Sequence, residues 1–176
     1  MADKIRVLVV DDSTFMRSAI VRMVKMDTRF EVVGAATNGK EGVEMAKELK
    51  PDVMTLDIEM PVMDGLTALP EIIKLSPKTR VVMASTLTLR NAEISLRAME
   101  MGASDYVAKP STRDAGEVSV FYEKLIGKIK ALAPHEATLE LYQVHAVTEG
   151  TDAQAEVSVR LSEDGKSVTG RGADPD

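Results

Sequence analysis

The stretch Val53-Met54-Thr55-Leu56-Asp57-Ile58-Glu59-Met60-Pro61 decides how the chain is read. Four residues suited to a strand buried on both faces lead directly into Asp57, and Met60-Pro61 then ends the strand. A carboxylate therefore stands at the C-terminal lip of a buried strand, which is where open α/β sheets bind ligands. A second apolar run, Ile5 to Val10, ends in Asp11-Asp12, and a third, Asp105 to Ala108, is followed by Lys109 and Pro110. With those strands as neighbours, three acids and one lysine converge on one edge. Asp11, Asp12, Asp57 and Lys109 form the candidate site.

Strand and helix alternate on both sides of that stretch. After Ile5–Val10, Ser13 or Thr14 can cap a helix with Met16, Ile20, Met23 and Val24 on one face. Phe30 to Ala36 reads as a strand closed by a Thr37-Asn38-Gly39 turn, and Glu41 to Leu49 as a helix ended by Lys50-Pro51. Past Met63-Asp64-Gly65, where glycine permits a tight turn, Leu66 to Leu75 can form a helix with Pro70 near its first turn or at a kink. Arg80 to Ala84 is a fourth strand ending in Ser85-Thr86, and Asn91 to Met101 a helix closed by Gly102. Tyr106 and Val107 lie in a fifth strand, and Val118 to Leu132 is a last helix with Phe121, Leu125 and Ile129 on one side. Five such alternations mean an α/β fold, a parallel sheet with helices on both faces.

Near Ala133-Pro134-His135 the period changes from helical to alternating, with Leu139, Leu141, Gln143 and His145, then Val157 and Val159, then Ser167 to Gly170. Glu163-Asp164-Gly165 is a hairpin signal between the last two runs. The expected division is residues 1–133, a linker at 134–138, and a small antiparallel β appendage at 139–176. Three strands alone are barely stable and need a cover for their apolar face.

Composition narrows the class. The chain has 176 residues, no cysteine and eleven methionines, so disulfides and thiolate metal sites are excluded and methionine serves as core filler. Residues 1–133 carry 19 basic and 19 acidic side chains, and the remainder 3 and 9, so the net charge of −6 belongs to the tail. No basic patch interleaved with aromatics suggests nucleic-acid contact. No apolar run spans a bilayer and no leader precedes the first strand, so a cytoplasmic protein without membrane contact is expected. His135 and His145 read as surface or strand residues, and Asn38-Gly39 as a turn, since no phosphate-loop pattern surrounds it.

Clustered acids repel one another and call for a cation. Oxygen-only ligands favour a hard ion such as Mg²⁺, which binds one or two carboxylates together with a phosphate. A lysine adds a point charge for an anion, and a hydroxyl from Ser85 or Thr86 can donate to it. The set suits phosphoryl chemistry with Asp57 as the nucleophile.

Residues from Ile5 to about Leu132 resemble the receiver domain of two-component response regulators, through V-L-V-V-D-D-S at Val7 to Ser13, D-I-E-M-P-V-M-D-G at Asp57 to Gly65, and G-A-S-D-Y-V-A-K-P at Gly102 to Pro110. The receiver of chemotaxis methylesterases is the nearest resemblance, through D-D-S-T-F-M-R at Asp11, M-A-S-T-L-T at Met83 and L-R-A-M-E-M-G-A-S-D-Y at Leu96. That resemblance implies a doubly wound, flavodoxin-like sheet of five strands in the order 2-1-3-4-5. It also implies Asp57 as phosphoacceptor and Asp12 as a direct Mg²⁺ ligand. Asp11 would act largely through water, with the Glu59 main-chain carbonyl completing the set. Lys109 matches the phosphate-contacting lysine, and Ser85 the switch hydroxyl. The loop after Ser85 looks about two residues longer than in the shortest receivers, so Thr86 competes for that role. Tyr106 matches the aromatic that moves with the hydroxyl. A sensor histidine kinase is the implied partner.

A chemotaxis methylesterase would continue into a serine-hydrolase domain, and this sequence does not, so only self-phosphorylation and dephosphorylation are expected. Instead Ala137 to Asp176 resembles the regulatory domain of isopropylmalate synthase, stopping before the helix to which Gly170 to Asp176 normally leads. The junction has the look of an engineered chimera or a spliced reading frame. The alternative expectation is a fused interaction module whose C-terminal β unit drives homodimerisation or binds an amino acid.

Overall fold

The computed structural model describes residues 4–86, 89–111, 114–134, 138–149, 152–163 and 166–172, the side chains of 89–92 and 138–172 excepted. Two compact units divide the chain, residues 1–134 and 135–176. In the first, β1 (Ile5–Val10), α1 (Thr14–Met26), β2 (Phe30–Ala36), α2 (Gly39–Leu49), β3 (Val53–Asp57), α3 (Gly65–Leu75), β4 (Arg80–Thr86), α4 (Leu89–Glu100), β5 (Asp105–Lys109) and α5 (Ala115–Leu132) follow in turn. The strands are parallel in the order β2-β1-β3-β4-β5, as the resemblance implies.

Every residue of β3 is buried because helices cover both faces of the sheet. Its side chains alternate between two cores. Met54 and Leu56 join Leu8, Val10, Val81 and Met83 in the core with residues of α2 and α3. Val53 joins Val7, Val9, Val82 and Val107 in the core with α1 and α5, which supply Ile20, Phe121 and Leu125. Burying each such side chain contributes about 1.5–3 kcal/mol, enough to fix the register and with it the strand ends.

Helix starts follow the capping chemistry, and α2, α4 and α5 begin two or three residues earlier than periodicity alone suggests. Asn38 caps α2, its Oδ1 accepting from the Glu41 amide at 3.0 Å, so the expected turn at Asn38-Gly39 is the first residue of a helix. Asp114 caps α5 at Ala115 rather than Val118, and α4 starts at Leu89 rather than Asn91. Ser13, not Thr14, caps α1. Pro70 sits in the second turn of α3, where the missing N–H leaves the Leu66 carbonyl without its usual helical donor.

The second unit is an antiparallel sheet of β6 (Thr138–Glu149), β7 (Asp152–Glu163) and β8 (Lys166–Gly172), in the order β6-β7-β8. The register pairs Leu139 with Leu161, Leu141 with Val159 and Leu161 with Val168, and it shifts between Leu141 and Val144, so the alternation expected through Gln143 and His145 is broken there. Glu163 pairs with Lys166 across the expected hairpin, whose Asp164 and Gly165 lie outside the described residues, as do His135, Ala137 and Ala173 to Asp176. Among the described residues no helix is long and apolar enough to cross a membrane.

Candidate functional site

Parallel strands bring their C-terminal ends to one edge, and there β1, β3 and β5 deliver Asp11, Asp57 and Lys109. Lys109 Nζ lies 2.7 Å from Asp57 Oδ2 and 2.8 Å from Asp11 Oδ2. All three side chains are buried. Asp12 is exposed beside them, and one carboxylate oxygen each from Asp11, Asp12 and Asp57 falls within 4.8 Å of the others. With all four groups charged the cluster is two positive charges short of neutrality.

Asp11 Oδ1 accepts from the Ser13 amide at 2.9 Å, which fixes the carboxylate and aims its other oxygen inward. That Oδ2 is buried without a hydrogen bond of acceptable direction, so its 2.8 Å approach to Lys109 is a charge contact that leaves lone-pair capacity open. Burial pushes the Asp57 carboxyl up to about 7; Lys109 opposes that rise, and Asp11 and Asp12 add to it. Burial pulls Lys109 down, but Asp57 and Asp11 outweigh it and hold the ammonium above its ordinary value. The charge deficit and the all-oxygen donor set fit a hard divalent cation.

The loop after β3 completes the rim. Glu59 is exposed and lines one cleft with Asp12, Asp64, Glu93 and Arg97. Val62 has φ 67°, and the Met63 amide donates to the Pro61 carbonyl at 2.7 Å, a strained three-residue turn for a β-branched residue. Gly65 is not there for a tight turn, since its φ is not positive. Its amide donates to the Ile58 carbonyl at 2.9 Å, and a Cβ on it would stand 2.2 Å from the Asp57 carbonyl oxygen. Helix α3 thus starts against the backbone of Asp57, and only glycine allows that approach.

Ser85 is buried at the end of β4, its Oγ donating to the Thr86 carbonyl at 3.1 Å, whereas Thr86 is exposed. The following loop, Leu87 and Thr88, lies outside the described residues. Tyr106 is half exposed and stays outside the acidic cluster, with Lys128 Nζ 5.9 Å from its ring centroid. Sequence reasoning missed Arg17, whose Nη1 donates to the Asp11 carbonyl at 2.8 Å and the Asp12 carbonyl at 3.3 Å. Its one mark in the sequence is its place a turn into the helix that follows two acids, which no apolar period distinguishes from Arg22 or Lys25.

The family model described as "Response regulator receiver domain" matches residues 7–120. The chain belongs to the response regulator receiver family. Receivers bind Mg²⁺ at an acidic pocket, and Asp11, Asp12 and Asp57 form an acidic cluster here. The receiver is 47% identical over 129 residues to a protein-glutamate methylesterase/protein-glutamine glutaminase of Maricaulis maris, covering 73% of this chain and 32% of that protein. A counterpart in Rhodospirillum rubrum is 50% identical over 129 residues, covering 73% and 33%. This chain therefore spans about a third of the length of the curated relatives it matches. Among solved structures, the response regulator domain of Thermotoga maritima CheB is 43% identical with a TM-score of 0.67, covering 73% of this chain and 96% of that one. The CheX-CheY-BeF3-Mg complex of Borrelia burgdorferi gives 27% and 0.62, covering 74% and 90%. A second family model, described as "LeuA allosteric (dimerisation) domain", matches residues 78–176 and supports the resemblance read from Ala137 onward. Over residues 78–120 the two matches overlap, and there β4 and β5 pair in the receiver sheet.

Proposed function

We propose that residues 1–133 form a phosphoacceptor switch, in which Asp57 takes a phosphoryl group from a sensor histidine kinase with Mg²⁺ bound, in cytoplasmic two-component or chemotaxis signalling. Carrying this reading is Lys109 Nζ, 2.7 Å from Asp57 Oδ2 and 2.8 Å from Asp11 Oδ2, in a cluster short of positive charge. An Asp57 carboxylate oxygen attacks phosphorus; the bond from phosphorus to the donor imidazole nitrogen breaks, and its electron pair stays on that nitrogen. Asp12 and Asp57 would hold Mg²⁺ directly, with Asp11 largely through water and the Glu59 main-chain carbonyl as a further ligand. When bound, the ion neutralises charge on the phosphoryl oxygens.

Lys109 turns from the Asp57 carboxylate to a phosphoryl oxygen, a point charge aimed by its place at the end of β5. The buried Ser85 suits the switch hydroxyl better than the exposed Thr86. Tyr106 follows that hydroxyl and carries the change to the surface of α4 and β5. In a melting experiment, beryllium fluoride should raise the transition only with Mg²⁺ present, and Asp57→Asn should remove that increment. An increment that survives the substitution would refute the phosphoacceptor role.

A second reading applies to residues 139–176, beyond a linker at 134–138. The match to the LeuA allosteric (dimerisation) domain favours a β unit that drives homodimerisation or binds an amino acid. Monomer mass by light scattering at every concentration, together with no melting shift on adding leucine, would discard it.

A further inference from the structure

Of the three acids, Asp12 is held least by its own side chain: it is exposed, and among the described residues its carboxylate has no hydrogen bond or ion pair. Its direction is set by the backbone alone. Two peptide planes meet at the Asp12 Cα, one ending in the Asp11 carbonyl and the other in its own. Arg17 Nη1 donates to both carbonyl oxygens, at 2.8 and 3.3 Å, while Nη2 lies 3.4 Å from Thr14 Oγ1. The Arg17 amide also donates to the Ser13 carbonyl at 2.8 Å, so the same residue grips three successive carbonyls of the β1–α1 turn.

We infer that Arg17 is a positioning residue for the metal site, fixing the two peptide planes that aim the Asp12 carboxylate at the cation. The inference rests on the Mg²⁺ reading above. A guanidinium suits this task because its planar fork is pre-organised and charged at any working pH. Partly buried, it spends less side-chain entropy on each bond than a solvated arm would. Its charge alone would work the other way, since a nearby cation repels Mg²⁺. Orientation and repulsion therefore predict opposite signs on removal, and affinity decides between them.

The test is Mg²⁺ binding by calorimetry, and by melting against Mg²⁺ concentration, in the full chain and in Arg17→Gln and Arg17→Lys. Loss of an outer-shell partner typically weakens metal binding 10–100-fold, and Arg17→Gln is expected to raise the Mg²⁺ Kd about tenfold. Arg17→Lys, which keeps the charge and one donor group, should fall between the two. Phosphoryl labelling should recover at saturating Mg²⁺, which separates an affinity defect from a chemical one. A merely structural role would lower the melting transition in chelator and leave the Mg²⁺ Kd unchanged. Equal or tighter Mg²⁺ binding in both variants overturns the inference. No Mg²⁺ binding by the unsubstituted chain overturns the site reading itself, and the inference with it.

Discussion

Asp57 carries two requirements that oppose each other. It must be buried, so that water does not compete for the incoming phosphorus, and it must be ionised, so that it can attack. Burial pushes its carboxyl up to about 7 against an ordinary value of 3.8. A carboxyl raised in the fold stabilises fully below its ordinary value and loses that contribution as pH rises through the folded value. Without metal, stability should therefore fall between about pH 4 and pH 7, by up to about 1.4 kcal/mol per pH unit. Asp27 and Glu41 are lowered by partners, Arg29 first for one and the Thr37 amide first for the other, so they act below that window. Mg²⁺ partners the ionised form, so its melting increment should grow from pH 5 to pH 8. A flat increment would show that the ion binds elsewhere. The three acids and Lys109 were legible in the sequence because each closes an apolar run. Arg17 was not, because a side chain that folds back over its own turn leaves no periodic trace.

Elements were legible wherever burial writes a period, as in β1 and β3, whose ends match the sequence reading. Helix starts were less so, because caps depend on hydrogen bonds: Asn38 and Asp114 move α2 and α5 earlier than their apolar residues indicate. Glycines were ambiguous for a related reason. Gly65 looks like a turn residue, yet its role is the close approach of α3 to the Asp57 carbonyl, a tertiary contact with no local sequence pattern. Gly65→Ala must displace backbone and should cost about 2 kcal/mol while weakening beryllium fluoride binding. Gly127, inside α5, is the contrasting case, since an added Cβ meets nothing within 4 Å. Gly127→Ala should raise stability by about 1 kcal/mol from helix propensity alone. Chemical denaturation checks both; a stable Gly65→Ala or a destabilised Gly127→Ala would contradict these assignments.

At the scale of the whole molecule, the sheet order follows from connection rules once the five alternations are recognised, since right-handed crossovers leave few topologies. The change of period near Pro134 was equally readable, and the strands beyond it run longer than their apolar residues alone indicated, to twelve residues each in β6 and β7. What gathers the site is a property of the complete parallel sheet. Asp11, Asp57 and Lys109, 46 and 52 positions apart in sequence, meet at one edge, and no local segment contains the chemistry. The most direct measurement is covalent. Incubated with isotopically labelled acetyl phosphate and Mg²⁺, the chain should acquire one alkali-labile, hydroxylamine-sensitive phosphoryl group, lost in Asp57→Asn and in chelator. Labelling that persists in Asp57→Asn, or that proceeds equally without a divalent ion, would contradict the account.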